Sequence, residues 1–225
     1  MNLVPICFCK NEEVWIRRVL TSLANVFEHV IVADTGSTDS TLEQIAKVPK
    51  VHLMIIDNPS TVRLGALRGE MQREAAEKFG ATHIMLVDGD ELYPTRYVRF
   101  IHDNPMPPEA EIGHTCGIEV EELPNGEIWL YGIEGKFSRD CILSVNTVWQ
   151  REHPYESPIV NRELSFRYEM ISPFVFYHLH HTRRSSKDDE VYLRMQKRYQ
   201  FSMRDAPEMK PKFFWLANES EYKDV

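Results

Sequence analysis

The stretch Ile31-Val-Ala-Asp-Thr-Gly-Ser-Thr-Asp-Ser-Thr41 decides how this chain is read. Apolar residues run into Asp34, and a turn of small polar residues carries a second acid, Asp39, before helical spacing resumes. A strand without polar alternation belongs inside a parallel sheet covered on both faces by helices. Ligands of such sheets bind beyond the carboxyl ends of the strands, so an acid in a strand's last position stands where ligands arrive. Three other runs have the same form. Leu3–Cys9 leads into Lys10, Asn11, Glu12 and Glu13, Val51–Ile56 into Asp57 and Asn58, and Thr82–Val87 into Asp88, Gly89, Asp90 and Glu91. Between them, helical spacing covers Glu12–Asn25, a helix opened by a capping box at Ser40–Glu43 and running to Lys47, and Arg68–Phe79. Strands and helices in this alternation predict a parallel sheet with right-handed crossovers.

The second half has a different character. Asn104–Pro108 breaks the chain. Ile112–Leu123 and Glu127–Ile133 flank Pro124-Asn125-Gly126, a hairpin signal. Phe174–His181 reads as another strand, and Ser185 or Ser186 caps a long helix from Lys187 to about Met203. The expectation is one domain over residues 1–225, with a nucleotide-binding half at 1–103 and a mixed-sheet half at 104–225 that ends in the helix.

Composition narrows the classes. With 43% hydrophobic and 27% charged residues, 225 residues suffice for a buried core. A net charge of -8 argues against holding nucleic acid over the whole surface, although a basic cleft is compatible with it. The four cysteines lack paired CxxC spacing, and Cys7 and Cys9 share one face of a strand as core or pocket lining. No apolar run reaches the ~18 residues of a membrane span, and the first residues lack the basic start of a signal peptide. A cytoplasmic location is the expectation.

The strongest chemical feature is Ile84-Met-Leu-Val-Asp88-Gly-Asp90-Glu91. Two carboxylates at a strand tip, separated by glycine, suit a hard cation that keeps waters and substrate phosphates as its remaining ligands. A solvated acidic turn is the plainer reading of the same residues. Neither G-x-G-x-x-G nor a P-loop occurs. If a diphosphate binds, a metal must supply what a glycine-rich loop supplies elsewhere.

Pro5–Glu13, Ile31–Thr41 and Leu86–Glu91, in that order and spacing, resemble the family 2 glycosyltransferases with the A-type fold. The resemblance implies a Rossmann-like α/β domain with a central, mostly parallel mixed sheet flanked by helices. It implies a metal-dependent, inverting transfer of a sugar from a nucleoside-diphosphate sugar to a hydroxyl acceptor. Asn11, Glu12 and Glu13, with Asp34 and Asp39, would hold base and ribose. Arg68 would reach the nucleotide, with Arg63 and Arg73 as rivals. Asp88, Gly89 and Asp90 match the family's D-x-D, Asp90 as main ligand of Mn²⁺ or Mg²⁺ and Asp88 nearer ribose and sugar. Glu156, with Glu152 second, would be the catalytic base. His178 or His180 would complete the metal shell; side chains alternate along a strand, so both share a face with Phe174 and Phe176. Arg183 and Arg184 read either as counter-ions for a diphosphate or as a solvated face.

The acceptor stays open among a glycan, a protein, a small molecule and a modified base, and so does the oligomeric state. Two other readings stand beside this one. A sugar nucleotidyltransferase would show glycine and basic residues after its first strand, where Lys10–Glu13 is acidic and lacks glycine. A non-catalytic sugar- or nucleic-acid-binding module would not need Asp88 and Asp90 together.

Overall fold

A computed structural model of the chain describes residues 1–56, 64–107, 110, 112–122, 128–131, 137–149, 158–159, 167–169 and 176–187. The first half follows the alternation that the apolar runs predict: β1 (Leu3–Cys9), α1 (Ile16–Ala24), β2 (Val30–Asp34), α2 (Thr41–Ile45), β3 (Val51–Ile55), α3 (Leu64–Phe79) and β4 (His83–Asp88). β1 pairs in parallel with β2 on one side and with β4 on the other, and β3 lies parallel outside β2. After β5 (Glu91–Leu92) and α4 (Thr95–Asp103) come β6 (Ile112–Glu122), β7 (Ile128–Tyr131), β8 (Phe137–Ser144), β9 (Val148–Trp149), β10 (Pro158–Ile159), β11 (Arg167–Glu169) and β12 (Phe176–His181).

The main sheet has the order β3-β2-β1-β4-β8-β6-β12-β5, with β7 and β11 also paired to β6, while β9 and β10 form a separate pair. The result is a Rossmann-like central mixed sheet flanked by helices. β8 runs antiparallel to both β4 and β6, and β12 runs parallel to β6. β12 therefore points the same way as β1, β2 and β4, and its carboxyl end reaches the edge where theirs lie. That topology brings the second half of the chain to the acids of the first.

Alternate residues of the central strands feed two cores. Cys7, Val32, Met85 and Val87 pack with Ile16, Val19, Leu20 and Leu23 of α1 and with Tyr97, Val98 and Ile101 of α4. Ile6, Ile31, Ala33 and Leu86 pack on the other face with Leu67, Met71 and Ala75 of α3. Both sheet faces are covered, which is why these strands lack polar positions. Cys7 and Cys9 belong to the first core, where burial pushes both thiols well above their ordinary range.

The structure shifts several expected boundaries. α1 begins at Ile16 rather than Glu12. Asn11 takes a positive φ of 55°, and the Glu12 carbonyl accepts the N–H groups of Trp15 and Ile16, so the chain turns before it coils. α4 and β8 had no counterpart in the reading of the sequence. β6 and β7 pair antiparallel from Glu122 and Ile128 outward, as the hairpin signal requires, with the turn itself outside the described residues. The expected helix beyond residue 187, the rival Arg63 and Phe174 also lie outside them. Among the described residues, no helix is long and apolar enough to cross a membrane.

Candidate functional site

The acid-bearing loops after β1 and β2 are stitched together by their own side chains. Asp34 is only 2% exposed. Its Oδ1 accepts the N–H groups of Gly36 and Ser37, both at 3.0 Å, and its Oδ2 accepts the Ser37 hydroxyl at 2.5 Å. The carboxylate thus folds the turn that follows it, and Gly36 supplies the positive φ of 96° that the turn needs. Ser37 Oγ accepts the Asn11 N–H at 2.9 Å, and Asn11 Oδ1 accepts the Thr38 N–H at 2.8 Å. The Glu12 N–H donates to Thr41 Oγ1 at 2.7 Å, and the Thr41 hydroxyl donates to Asp39 Oδ1 at 2.5 Å.

The cap of α2 differs from the expected box. Asp39 Oδ1 accepts the Thr41 N–H at 3.0 Å, while Ser40 makes no side-chain cap bond. The N–H and hydroxyl of Ser40 go instead to Glu13 Oε2, at 3.0 and 2.5 Å. A carboxylate is the stronger acceptor for a hydroxyl, so Ser40 ties the two loops together and leaves the cap to its neighbour.

At the tip of β4, Asp88 Oδ1 meets Arg68 Nη2 at 2.9 Å. Arg68 is 0% exposed, with its guanidinium 4.3 Å from the centre of the Phe8 ring. Arg68, expected to reach the nucleotide, lies buried within α3 with its guanidinium on Asp88. The Asp88 N–H donates to Glu91 Oε2 at 3.1 Å, and Glu91 is buried. Gly89 is pressed against the end of β1, its N–H donating to the Phe8 carbonyl at 2.7 Å. A Cβ added there would stand 2.9 Å from Glu12 Cγ and 3.0 Å from Cys9 Cβ. The glycine between the two acids is required by this close approach. Gly89→Ala is expected to cost ~1–3 kcal/mol, the usual range for overpacking, measured as a lower midpoint in urea unfolding.

Asp90 is where the two halves meet. Its backbone carbonyl accepts the Leu179 N–H of β12 at 2.7 Å. Its Oδ2 lies 2.8 Å from Arg184 Nη1 and 3.8 Å from His178 Nε2. The same Arg184 nitrogen donates to Glu12 Oε1 at 2.8 Å. Beyond β12, residues 183–187 form a strap across the loops of the first half. Trp15 Nε1 donates to the Arg183 carbonyl at 3.0 Å, and the Val14 N–H donates to the Arg184 carbonyl at 3.0 Å. The Ser185 hydroxyl donates to Asp39 Oδ2 and the Ser186 N–H to Glu13 Oε1, each at 2.5 Å.

Hydrogen bonds from Ser40 and Ser186 hold the Glu13 carboxyl down from 4.5 to about 2. A carboxylate lowered in the folded state stabilises that state fully above its unfolded value, and the contribution is lost as pH falls toward the folded value. The stability difference between the wild type and Glu13→Gln should therefore be constant above about pH 4.5 and shrink between there and about pH 2. Denaturant unfolding at a series of pH values checks this.

Of the expected site residues, Asn11, Glu12, Glu13, Asp34, Asp39, Asp88, Gly89, Asp90 and His178 all stand at this carboxyl edge. Glu152 and Glu156 lie outside the described residues. His180 lies in β12, but its side chain is outside them. The register of β12 on β6 shifts between His178 and His181, so strict alternation no longer tells whether His178 and His180 share a face. Arg184, left open between diphosphate and solvent, is a central charge of the site. Ser185 and Ser186, expected only as helix caps, bind acids of the loops.

The donor chemistry at Asp90 fits a divalent cation. Its buried carboxylate already holds a cation in the form of the Arg184 guanidinium, with an imidazole nitrogen alongside. Among the described residues, no three His, Cys, Asp or Glu side chains gather to form a full shell. Such a site leaves most positions to water and substrate oxygens, the usual arrangement for a metal that binds with a diphosphate.

No curated protein matches the sequence. Among solved structures, S. aureus TarS is 15% identical with a TM-score of 0.47, over 90% of this chain and 40% of that one. The 1–349 form of the same protein gives 15% and 0.48, over 99% and 78%. Glucosyl-3-phosphoglycerate synthase from Mycobacterium tuberculosis, in complex with Mn²⁺ and UDP-glucose, is 18% identical with a TM-score of 0.40, over 50% of this chain and 42% of that one. The chain thus spans about two fifths of the length of the full TarS chain and of the synthase. The family model described as glycosyl transferase family 2 matches residues 6–101, from β1 through the D-x-D turn and into α4. Over that segment, with its three acid-bearing turns on one edge of the sheet, the chain is similar to glycosyl transferase family 2.

Proposed function

We propose that the protein is a metal-dependent, inverting glycosyltransferase that moves a sugar from a nucleoside-diphosphate sugar to a hydroxyl acceptor. The observation that carries this reading is the buried Asp90 carboxylate, held at the β4 tip with Arg184 at 2.8 Å and His178 at 3.8 Å, beside two pre-folded loops. The family-model match over residues 6–101 supports the reaction class.

In this reading Asn11, Glu12, Glu13, Asp34 and Asp39 form the nucleoside end of the site. Asp34 contributes by fixing the β2 turn, so that backbone groups of residues 35–38 are oriented before the ligand arrives. Asp90 and His178 would hold the cation, and the imidazole favours Mn²⁺ over Mg²⁺. When bound, that ion would neutralise charge growing on the diphosphate as it leaves. Arg68 fixes Asp88 toward ribose and sugar. Glu156, or Glu152, takes the proton of the acceptor hydroxyl. The acceptor oxygen bonds to the anomeric carbon, the bond from that carbon to the diphosphate oxygen breaks, and its electron pair leaves with the nucleoside diphosphate.

Thermal shift with UDP, GDP and dTDP, each with and without Mn²⁺, tests the binding half of the reading. One diphosphate should raise the melting temperature in Mn²⁺ and lose that effect in chelator. Equal stabilisation in chelator overturns the role of the metal.

A further inference from the structure

The guanidinium of Arg184 lies on the oxygen that a metal would need. Its Nη1 is 2.8 Å from Asp90 Oδ2 and 2.8 Å from Glu12 Oε1, and both acids are buried. That guanidinium bridges two buried carboxylates, and a dication would bring twice its charge to the Asp90 oxygen. The guanidinium is carried on a short surface segment whose own ties are hydrogen bonds. The strap at 183–187 is held to the loops by hydrogen bonds to Glu13, Val14, Trp15 and Asp39, and the Arg183 side chain is exposed.

We infer that Arg184 and a divalent cation are alternative occupants of Asp90, so that the strap is the site's resting counter-charge and metal binding lifts Arg184 away. This rests on the proposed metal site and deepens it. It assigns to Arg184 the role of setting the metal affinity, and it frees a basic side chain beside the site at the moment a diphosphate needs one. Glu12 belongs to the same switch, because it loses its bond to Arg184 when the guanidinium leaves.

Mn²⁺ binding by calorimetry tests the inference with no donor present. Arg184→Ala should bind Mn²⁺ on the order of tenfold more tightly than the wild type, the scale of one charge-assisted contact no longer displaced. Arg183→Ala removes an adjacent positive charge that is not on Asp90, and its affinity should change much less. A second measurement needs no variant: trypsin cleavage after Arg184, followed by mass spectrometry, should accelerate several-fold in saturating Mn²⁺. The inference is overturned if Arg184→Ala binds Mn²⁺ no more tightly than the wild type, if Arg183→Ala tightens binding as much, or if cleavage after Arg184 is indifferent to Mn²⁺. Each of those results leaves the metal site standing. Absence of Mn²⁺ binding in wild type and variants alike would remove the metal site itself and the switch with it.

Discussion

Asp90→Ala should lower Mn²⁺-dependent turnover of the nucleotide sugar by ~10²–10³-fold, the scale of losing one fixed group that acts on charge developing in the transition state. The reason is positional. Asp90 is the acid on which the second half of the chain converges, through Arg184, through His178 and through the Leu179 N–H on its carbonyl. Donor hydrolysis or transfer assayed with Mn²⁺ reads the effect, and calorimetry on the same variant should show Mn²⁺ binding abolished. Turnover within a few-fold of the wild type would place the metal, and with it the proposed chemistry, elsewhere.

A stability loss of ~3–5 kcal/mol is expected for Arg68→Ala, in the upper range for truncating a large buried side chain. Three contributions disappear together: the 2.9 Å ion pair with Asp88, the stacking at 4.3 Å on Phe8, and the contact at 6.0 Å with Trp149. The surroundings are poorly placed to collapse into the space. Trp149 is tied to α3 through Nε1 donating to Gln72 Oε1 at 2.7 Å, and Gln72 Nε2 donates in turn to the Val145 and Thr147 carbonyls at 2.6 and 2.9 Å. Arg68→Met, which keeps most of the volume, should recover part of the stability without restoring the hold on Asp88. Urea unfolding of both variants decides it; a loss below about 1 kcal/mol for the alanine form would mean that the site relaxes freely.

The parts of this molecule that were legible in its sequence are those with local causes. β1, β2, β3 and β4 announce themselves as apolar runs because both of their faces are covered, and the acids at their ends follow from the direction of a parallel sheet. α4 left a signal that went unread, with Tyr97, Val98 and Ile101 on one buried face behind Pro94. β8 was not legible in the same way. It lies between β4 and β6, and pairs such as His83 with Ser144 are set by tertiary packing rather than by neighbouring residues. Within the site, Asn11, Asp34, Asp39, Asp88 and Asp90 could be picked out from strand ends and turn chemistry. Their hydrogen bonding could not: Asp34 proved to be occupied by its own turn, and Arg68 by Asp88. For Arg184 the sequence left two readings, a counter-ion for a diphosphate or a solvated face, since its place depends on β12 arriving parallel to β4 from the far end of the chain.

The long reach of Arg184 also has a kinetic side. Its contacts with Asp90 and Glu12 close chain segments of 94 and 172 residues, and closure over such lengths is paid for in entropy before any contact rewards it. β1, α1, β2 and β3 are built from near neighbours and can assemble while the acids still face water. The strap is then expected to dock late, after the folding transition state. Substitution of Arg184 should accordingly hasten unfolding and leave the refolding rate nearly untouched, a partition that stopped-flow chevrons would resolve.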